Sequence, residues 1–179
     1  MPGSTVAACP ELTDLLCLHM RSLQRDSAAH EMEHGIEVLL PLIHRLSPET
    51  RVTGIVIGQA DLEQCAQLAE GLAAALREYN RPVLLLISSD MNHFATDTEN
   101  RRLDAMALER FDALDPDGLY RVCRQNRISM CGLLPAVIVF KTLQQLKQLD
   151  RCVPVGYGTS ADVSGQTDRV VGYAGRLLC

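Results

Sequence analysis

Tryptophan is absent from the 179 residues, and the aromatic complement is four Tyr and three Phe. A chain so poor in flat side chains lacks a stacking platform for bases or sugars. Charge of one sign is scarce as well. The 17 Lys and Arg against 22 Asp and Glu leave a formal net charge of -5, and the basic residues are scattered, so the footprint of a nucleic-acid binder is missing. No apolar run reaches the ~18 to 20 residues that cross a bilayer, and no basic segment with an apolar stretch and cleavage site opens the chain. A cytoplasmic protein is expected, with neither nucleic acid nor membrane as partner. There is no G-x-G-x-x-G, G-x-x-x-x-G-K-[ST], H-E-x-x-H or G-x-S-x-G, which removes the main support for dinucleotide binding, P-loop hydrolysis, zincin proteolysis and α/β-hydrolase chemistry. The seven cysteines, Cys9, Cys17, Cys65, Cys123, Cys131, Cys152 and Cys179, are odd in number and include no C-x-x-C pair. That argues against a disulfide framework or a structural zinc site, and for free thiols in a reducing compartment.

What is present is ample apolar material, 47% of residues, enough for one domain. Residues 1–10 are expected to be a disordered or appended end, and 11–179 a single α/β domain. Leu12, Leu15, Leu16, His19 and Leu23 recur at helical spacing, and Ile36, Leu39, Leu40, Ile43 and Leu46 predict a second helix from Glu33, kinked or broken at Pro41. The run 51–58, RVTGIVIG, reads as a buried strand, followed by a helix to about Tyr79 that opens on the capping pair Asp61 and Gln64. The run 81–88, RPVLLLIS, reads as a second strand buried on both faces. Strand, helix and strand in that order form a right-handed crossover unit and imply a parallel pair. Further helices are expected over 98–111, from Asp115-Pro116 to about Gln125, and from Cys131-Gly132 through Leu149, with closing strands near 152–159 and 168–178.

In open parallel sheets ligands collect beyond the carboxyl ends of the strands. Asp90 and His93 fall just past such an end. A carboxylate and an imidazole three residues apart can share a ligand, or the carboxylate can orient the ring; equally, Asp90 can cap a turn while His93 packs at the surface. Cys131 stands at a predicted helix start, where backbone amides favour a thiolate, or it is a buried thiol at a tight helix entry. Glu33 and His34 place a carboxylate and an imidazole in a first helical turn, with Glu37 on the same face; a solvated helix start accounts for them equally well. Tyr157 is a candidate hydrogen-bond donor to the crevice, while Ser160 and Asp162 are ordinary turn-formers.

Taken in order, the motifs Glu33-His34-Gly35-Ile36-Glu37-Val38, Ser88-Ser89-Asp90-Met91-Asn92-His93-Phe94, Met130-Cys131-Gly132 and Tyr157-Gly158-Thr159-Ser160 leading to Val171-Gly172-Tyr173-Ala174 resemble the Memo family. That family includes the B component of the AmmeMemoRadiSam system. The resemblance implies a fold similar to class III extradiol dioxygenases, a mainly parallel sheet with helices on both faces. It implies a cleft holding iron or copper on two histidines and a cysteine, with redox, oxidoreductase-like activity. Cys131 matches the cysteine ligand, and Asp90, His93 and His34 match residues of the same cleft. The two ligand histidines belong to earlier family segments that this sequence does not contain, along with strands that belong inside the sheet. The site is therefore expected either to be rebuilt from Asp90, His93 and Cys131 with His34, with Cys131 and His93 as ligands, or to be lost in a scaffold that serves as an interaction and assembly module. A third reading makes Cys131 a nucleophile with His93 as its base. An exposed sheet edge favours a homo-oligomer, and the resemblance suggests radical-SAM and AMMECR-type partners.

Overall fold

A computed structural model describes residues 5–31 and 33–179. Met1–Ser4, part of the expected N-terminal end, and Met32 lie outside the described residues. In chain order the elements are α1 (Pro10–His19), α2 (Ala28–Glu31), a 3-10 turn (Glu37–Leu39), α3 (Leu40–Leu46), α4 (Leu62–Tyr79), β1 (His93–Ala95), α5 (Asp97–Asp112), α6 (Pro116–Gln125), α7 (Leu133–Leu146), β2 (Cys152–Thr159), α8 (Ala161–Ser164) and β3 (Val170–Leu178).

Local chemistry sets most helix boundaries. Asp61 accepts the Gln64 N–H at 2.8 Å while the Gln64 side chain accepts the Asp61 N–H at 2.9 Å, closing the capping box that opens α4. Asn80 ends the helix in the left-handed region, φ 47°. Thr96 caps α5, and Asp115 caps α6 ahead of Pro116. Pro41 sits in the first turn of α3, where its missing N–H costs nothing, so the second predicted helix begins only at the 3-10 turn. Asp61→Ala is expected to lower stability by about 1 kcal/mol, read as a reduced urea midpoint with unchanged slope.

The core is helical. Helix α7 is buried almost all round, with Leu133, Leu134, Ala136, Val137, Ile138, Val139 and Phe140 inside. It packs on α4 and α6. Phe140 meets Phe111 of α5 edge to face at 4.6 Å between centroids. Helix α1 lies close on α4 because residue 71 is glycine: a Cβ there would stand 2.7 Å from the His19 carbonyl oxygen.

Among the described residues the sheet has three strands in the order β1-β3-β2, both pairings antiparallel. This differs from the mainly parallel sheet expected from the sequence. The closing strands form as predicted, and the short β1 joins them. The runs 51–58 and 81–88 form no ladder beyond one parallel bridge between Ala8 and Val52. They are not buried on both faces either: Leu84 is 85% and Leu86 53% exposed. Without neighbouring strands, only one side of each run, Ile55, Ile57 and Ile87, packs on the core. No helix among the described residues is long and apolar enough to cross a membrane.

Candidate functional site

The loop that follows the 81–88 run meets the start of α7, and the contact is built on residue 132. The Gly132 N–H donates to Ser89 Oγ at 2.8 Å, and a Cβ on Gly132 would sit 2.7 Å from that oxygen and 2.8 Å from the Ser88 carbonyl. Glycine is required here for space, since its φ of -86° suits any residue. The close approach brings Cys131 under the loop, where the Asp90 N–H donates to Cys131 Sγ at 3.1 Å and Ser89 Oγ lies 3.7 Å from the sulfur. The thiol is exposed and precedes the first turn of a 14-residue helix. Cys131 and Ser129 open onto a cleft of about 420 Å³ that also touches Gly58, Gln59 and Arg127.

His93 is held from both sides. Its Nε2 faces Asp90 Oδ2 at 3.4 Å, and its Nδ1 lies 3.2 Å from Ser129 Oγ, which also accepts the His93 N–H at 2.8 Å. The Ser129 hydroxyl also donates to Asn92 Oδ1 at 3.2 Å, so it ties the His93 ring and backbone to the residues beneath the loop. The structure therefore brings together Asp90 with Cys131 and Asp90 with His93. The next residue, Phe94, is 61% exposed and adopts a positive φ of 65°, an unusual backbone for a bulky side chain. Arg169 covers its ring at 4.3 Å.

Beneath this loop lies a buried polar network that sequence reasoning missed. Asn92, Asn100 and Asp104 are at most 3% exposed. Asp104 accepts the Asn92 N–H at 2.7 Å, the Asn100 amide at 3.3 Å and the Tyr157 hydroxyl at 2.8 Å. Asn92 in turn accepts the Ser129 N–H at 3.0 Å. Burial raises the Asp104 carboxyl above its ordinary pKa, opposed by the donors Asn92 and Tyr157. The Tyr157 hydroxyl is raised by burial and by the adjacent carboxylate. Tyr157, expected to donate into the crevice, thus donates to the network supporting the loop. Gly172 belongs to the same knot: it exchanges backbone hydrogen bonds with Met91 and Asn92 at 2.9 and 3.0 Å, and a Cβ there would overlap Asp104 Oδ2. A signal was available, because Asn100 and Asp104 occupy helical positions in register with Leu103, Ala107, Leu108 and Phe111, the buried face of α5.

Glu33 spends its carboxylate locally, accepting the N–H groups of Gly35 at 2.5 Å and Ile36 at 3.2 Å, which hold it below its ordinary pKa. A Cβ on Gly35 would stand 3.3 Å from Ser88 Oγ, so this turn does touch the site loop. The His34 side chain is 78% exposed, with Glu37 3.6 Å away; no hydrogen bond joins it to Asp90, His93 or Cys131 among the described residues. There, no three His, Cys, Asp or Glu side chains converge as a metal-holding group, so the residues at hand do not supply the two-histidine, one-cysteine set that the family resemblance implies.

Comparison with known proteins matches nearly the whole chain. A family model described as Memo-like protein matches residues 7–177. A MEMO1 family protein from Pyrobaculum aerophilum is 30% identical over 177 residues, covering 99% of this chain and 63% of the relative. Its counterpart from Pyrobaculum arsenaticum is 32% identical over the same length, and one from Desulfurococcus amylolyticus is 34% identical over 165 residues, 58% of that relative. The chain thus spans less than two thirds of the curated relatives it matches. With a family match over nearly its whole length and the motifs assembled at one loop, the chain belongs to the Memo-like family.

Proposed function

We propose that this chain is a Memo-like scaffold and assembly module whose cleft contributes one sulfur donor, Cys131, and one imidazole–carboxylate pair, His93 and Asp90, to a centre completed by donors from outside the described residues. The observation that carries this reading is the seating of Cys131 against the Asp90 N–H at 3.1 Å, on the same loop as the Asp90–His93 pair at 3.4 Å. A thiolate with imidazole is a donor set suited to copper or iron, and the resemblance to Memo proteins points to those metals. A site with a single strong donor is weak, however, because affinity and geometry come from the full ligand set. In this role Asp90, 3.4 Å from Nε2, and Ser129, 3.2 Å from Nδ1, hold the His93 ring in place. Anaerobic titration of the chain with ferrous iron or cuprous ion is expected to show weak binding that is lost in Cys131→Ala. Tight equimolar binding by the unaided chain would overturn the reading.

A second reading, a thiol nucleophile at Cys131, is favoured by the exposure of that sulfur and by its place ahead of α7. It makes a distinct prediction. Burial pushes the thiols of Cys123 and Cys152 up to about 12 and about 11 respectively, so neither competes for an alkylating reagent at neutral pH. In native protein treated with iodoacetamide and followed by peptide mass spectrometry, Cys131 is expected to react several-fold faster than the exposed Cys179, with Cys123 and Cys152 last. Equal rates at Cys131 and Cys179 would remove the case for an activated thiol.

A further inference from the structure

Side chains two residues apart in a strand point to the same face, and residues directly opposite on paired strands share a face. The pairing of β1 with β3 breaks this count at the site. His93 stands opposite Val171 and Ala95 opposite Val170, so two steps along β1 match one along β3, and Phe94 is the extra residue of a β-bulge. Val170 and Val171 are consecutive and face opposite ways, so His93 and Ala95 face opposite ways too. In an unbroken ladder with Ala95 still against Val170, His93 would stand opposite Gly172, on the face of Ala95. The bulge turns the imidazole to the side where Asp90 and Ser129 hold it, at 3.4 and 3.2 Å.

The partner strand does not absorb the mismatch. Val171 exchanges hydrogen bonds with Ser160 on its other edge, its N–H donating to Ser160 Oγ at 3.1 Å and its carbonyl accepting the Ser160 N–H at 2.9 Å. On either side of the bulge the two segments are tied again, Gly172 to Met91 and Asn92 at 2.9 and 3.0 Å, and Thr167 to Asp97 at 2.7 Å. The irregularity is therefore concentrated in Phe94, whose φ of 65° is a left-handed backbone, costly to a bulky residue. Its ring is 61% exposed, so core packing does not hold it there. The Arg169 guanidinium does contact it, 4.3 Å from the ring centroid and inside the ~6 Å range of cation–π attraction. Arg169 immediately precedes Val170, the residue at which the shifted register begins, so the stacking contact and the bulge meet at the same point of the sheet.

We propose that Arg169 and Phe94 are positioning residues for His93: the cation–π contact clasps the bulge residue in its left-handed conformation, and the bulge sets the face on which the imidazole is presented. The proposal deepens the reading of His93 as part of the cleft's donor set and rests on that reading for its consequence; the seating of the ring is measurable without metal. Glycine supplies the discriminating variant, because it adopts positive φ without the cost that Phe94 bears. A bulge relieved by Phe94→Gly needs no clasp.

The test is amide hydrogen exchange and NMR on the metal-free native chain, Arg169→Ala, Phe94→Gly and the double variant. In Arg169→Ala, exchange at the His93 amide, which donates to Ser129 Oγ at 2.8 Å, is expected to speed up roughly tenfold. The Overhauser contact between the His93 ring and the Ser129 side chain is expected to weaken with it, while the Ala136 amide of α7, bonded to the Gly132 carbonyl at 2.9 Å, keeps its native rate. Adding Phe94→Gly to Arg169→Ala is expected to return the His93 amide to near its native rate and to restore the ring contact. A general loss of stability would speed Ala136 as well, and removal of a second side chain would not rescue it. Native His93 exchange and an intact Ser129 contact in Arg169→Ala would overturn the proposal, as would a double variant no better seated than the single one. Tight equimolar metal binding by the native chain would defeat the proposed function and leave the result on the seating of His93 standing.

Discussion

Asp104→Ala is expected to destabilise the folded chain by about 3 kcal/mol and to free the loop that carries Asp90 and His93. Asp104 is fully buried and accepts from the Asn92 backbone, the Asn100 amide and the Tyr157 hydroxyl. Alanine leaves those donors without an acceptor in a place water does not reach, and an orphaned buried donor loses its full desolvation cost. The pH dependence gives a signature that simple loss of packing would not. Burial raises the folded-state pKa of this carboxyl above its unfolded value, so the folded state holds the proton more tightly. Its contribution to stability is therefore greatest in acid and declines as pH rises from the ordinary carboxylate range through the raised value. The stability gap between the native chain and Asp104→Ala should accordingly narrow with rising pH across that window, as read by denaturant melts at several pH values. A gap that widens with pH would show that the carboxylate form is the one the fold favours.

Gly132→Val is expected to cost roughly 1 to 3 kcal/mol and to remove any enhanced alkylation of Cys131. A Cβ at this position meets Ser89 Oγ at 2.7 Å and the Ser88 carbonyl at 2.8 Å, and both belong to the loop that α7 must touch. The added bulk has to push helix and loop apart, breaking the Gly132–Ser89 hydrogen bond and lifting Cys131 from the Asp90 N–H. Urea unfolding measures the first effect and iodoacetamide kinetics at Cys131 the second. Loss of stability with Cys131 kinetics unchanged would mean that the Asp90 contact does not govern the thiol.

Local signals explain which parts of this fold the sequence disclosed. Asp61 with Gln64, and Asp115 with Pro116, announce helix starts by short-range chemistry, and the helices begin there. Asp90 and His93 were readable as neighbours on one loop after an apolar run, whereas it was the resemblance to the Memo family that put Cys131 in the same cleft; in the structure the Asp90 N–H donates to its sulfur. The 81–88 run misled for the opposite reason. Its continuous hydrophobicity matches a strand buried between layers, but burial depends on neighbours in the sheet, and composition within a segment carries no information about whether they are present. Tyr157 illustrates a similar limit, since a tyrosine at a strand end looks alike whether its hydroxyl faces a ligand or a buried Asp104. The Asn92–Asn100–Asp104 knot went unread because polar residues in a helix suggest the solvent side until they are placed in register with Leu103, Ala107 and Phe111.

The most direct test of the central claim is metal content by elemental mass spectrometry on the untagged chain purified anaerobically, with His93→Ala and Cys131→Ala prepared alongside. An incomplete Memo-like cleft predicts clearly substoichiometric iron, copper and zinc, alike in all three proteins. Near-equimolar iron or copper in the native chain, lost in both variants, would contradict it and show that Cys131 and His93 belong to a metal centre the chain completes by itself.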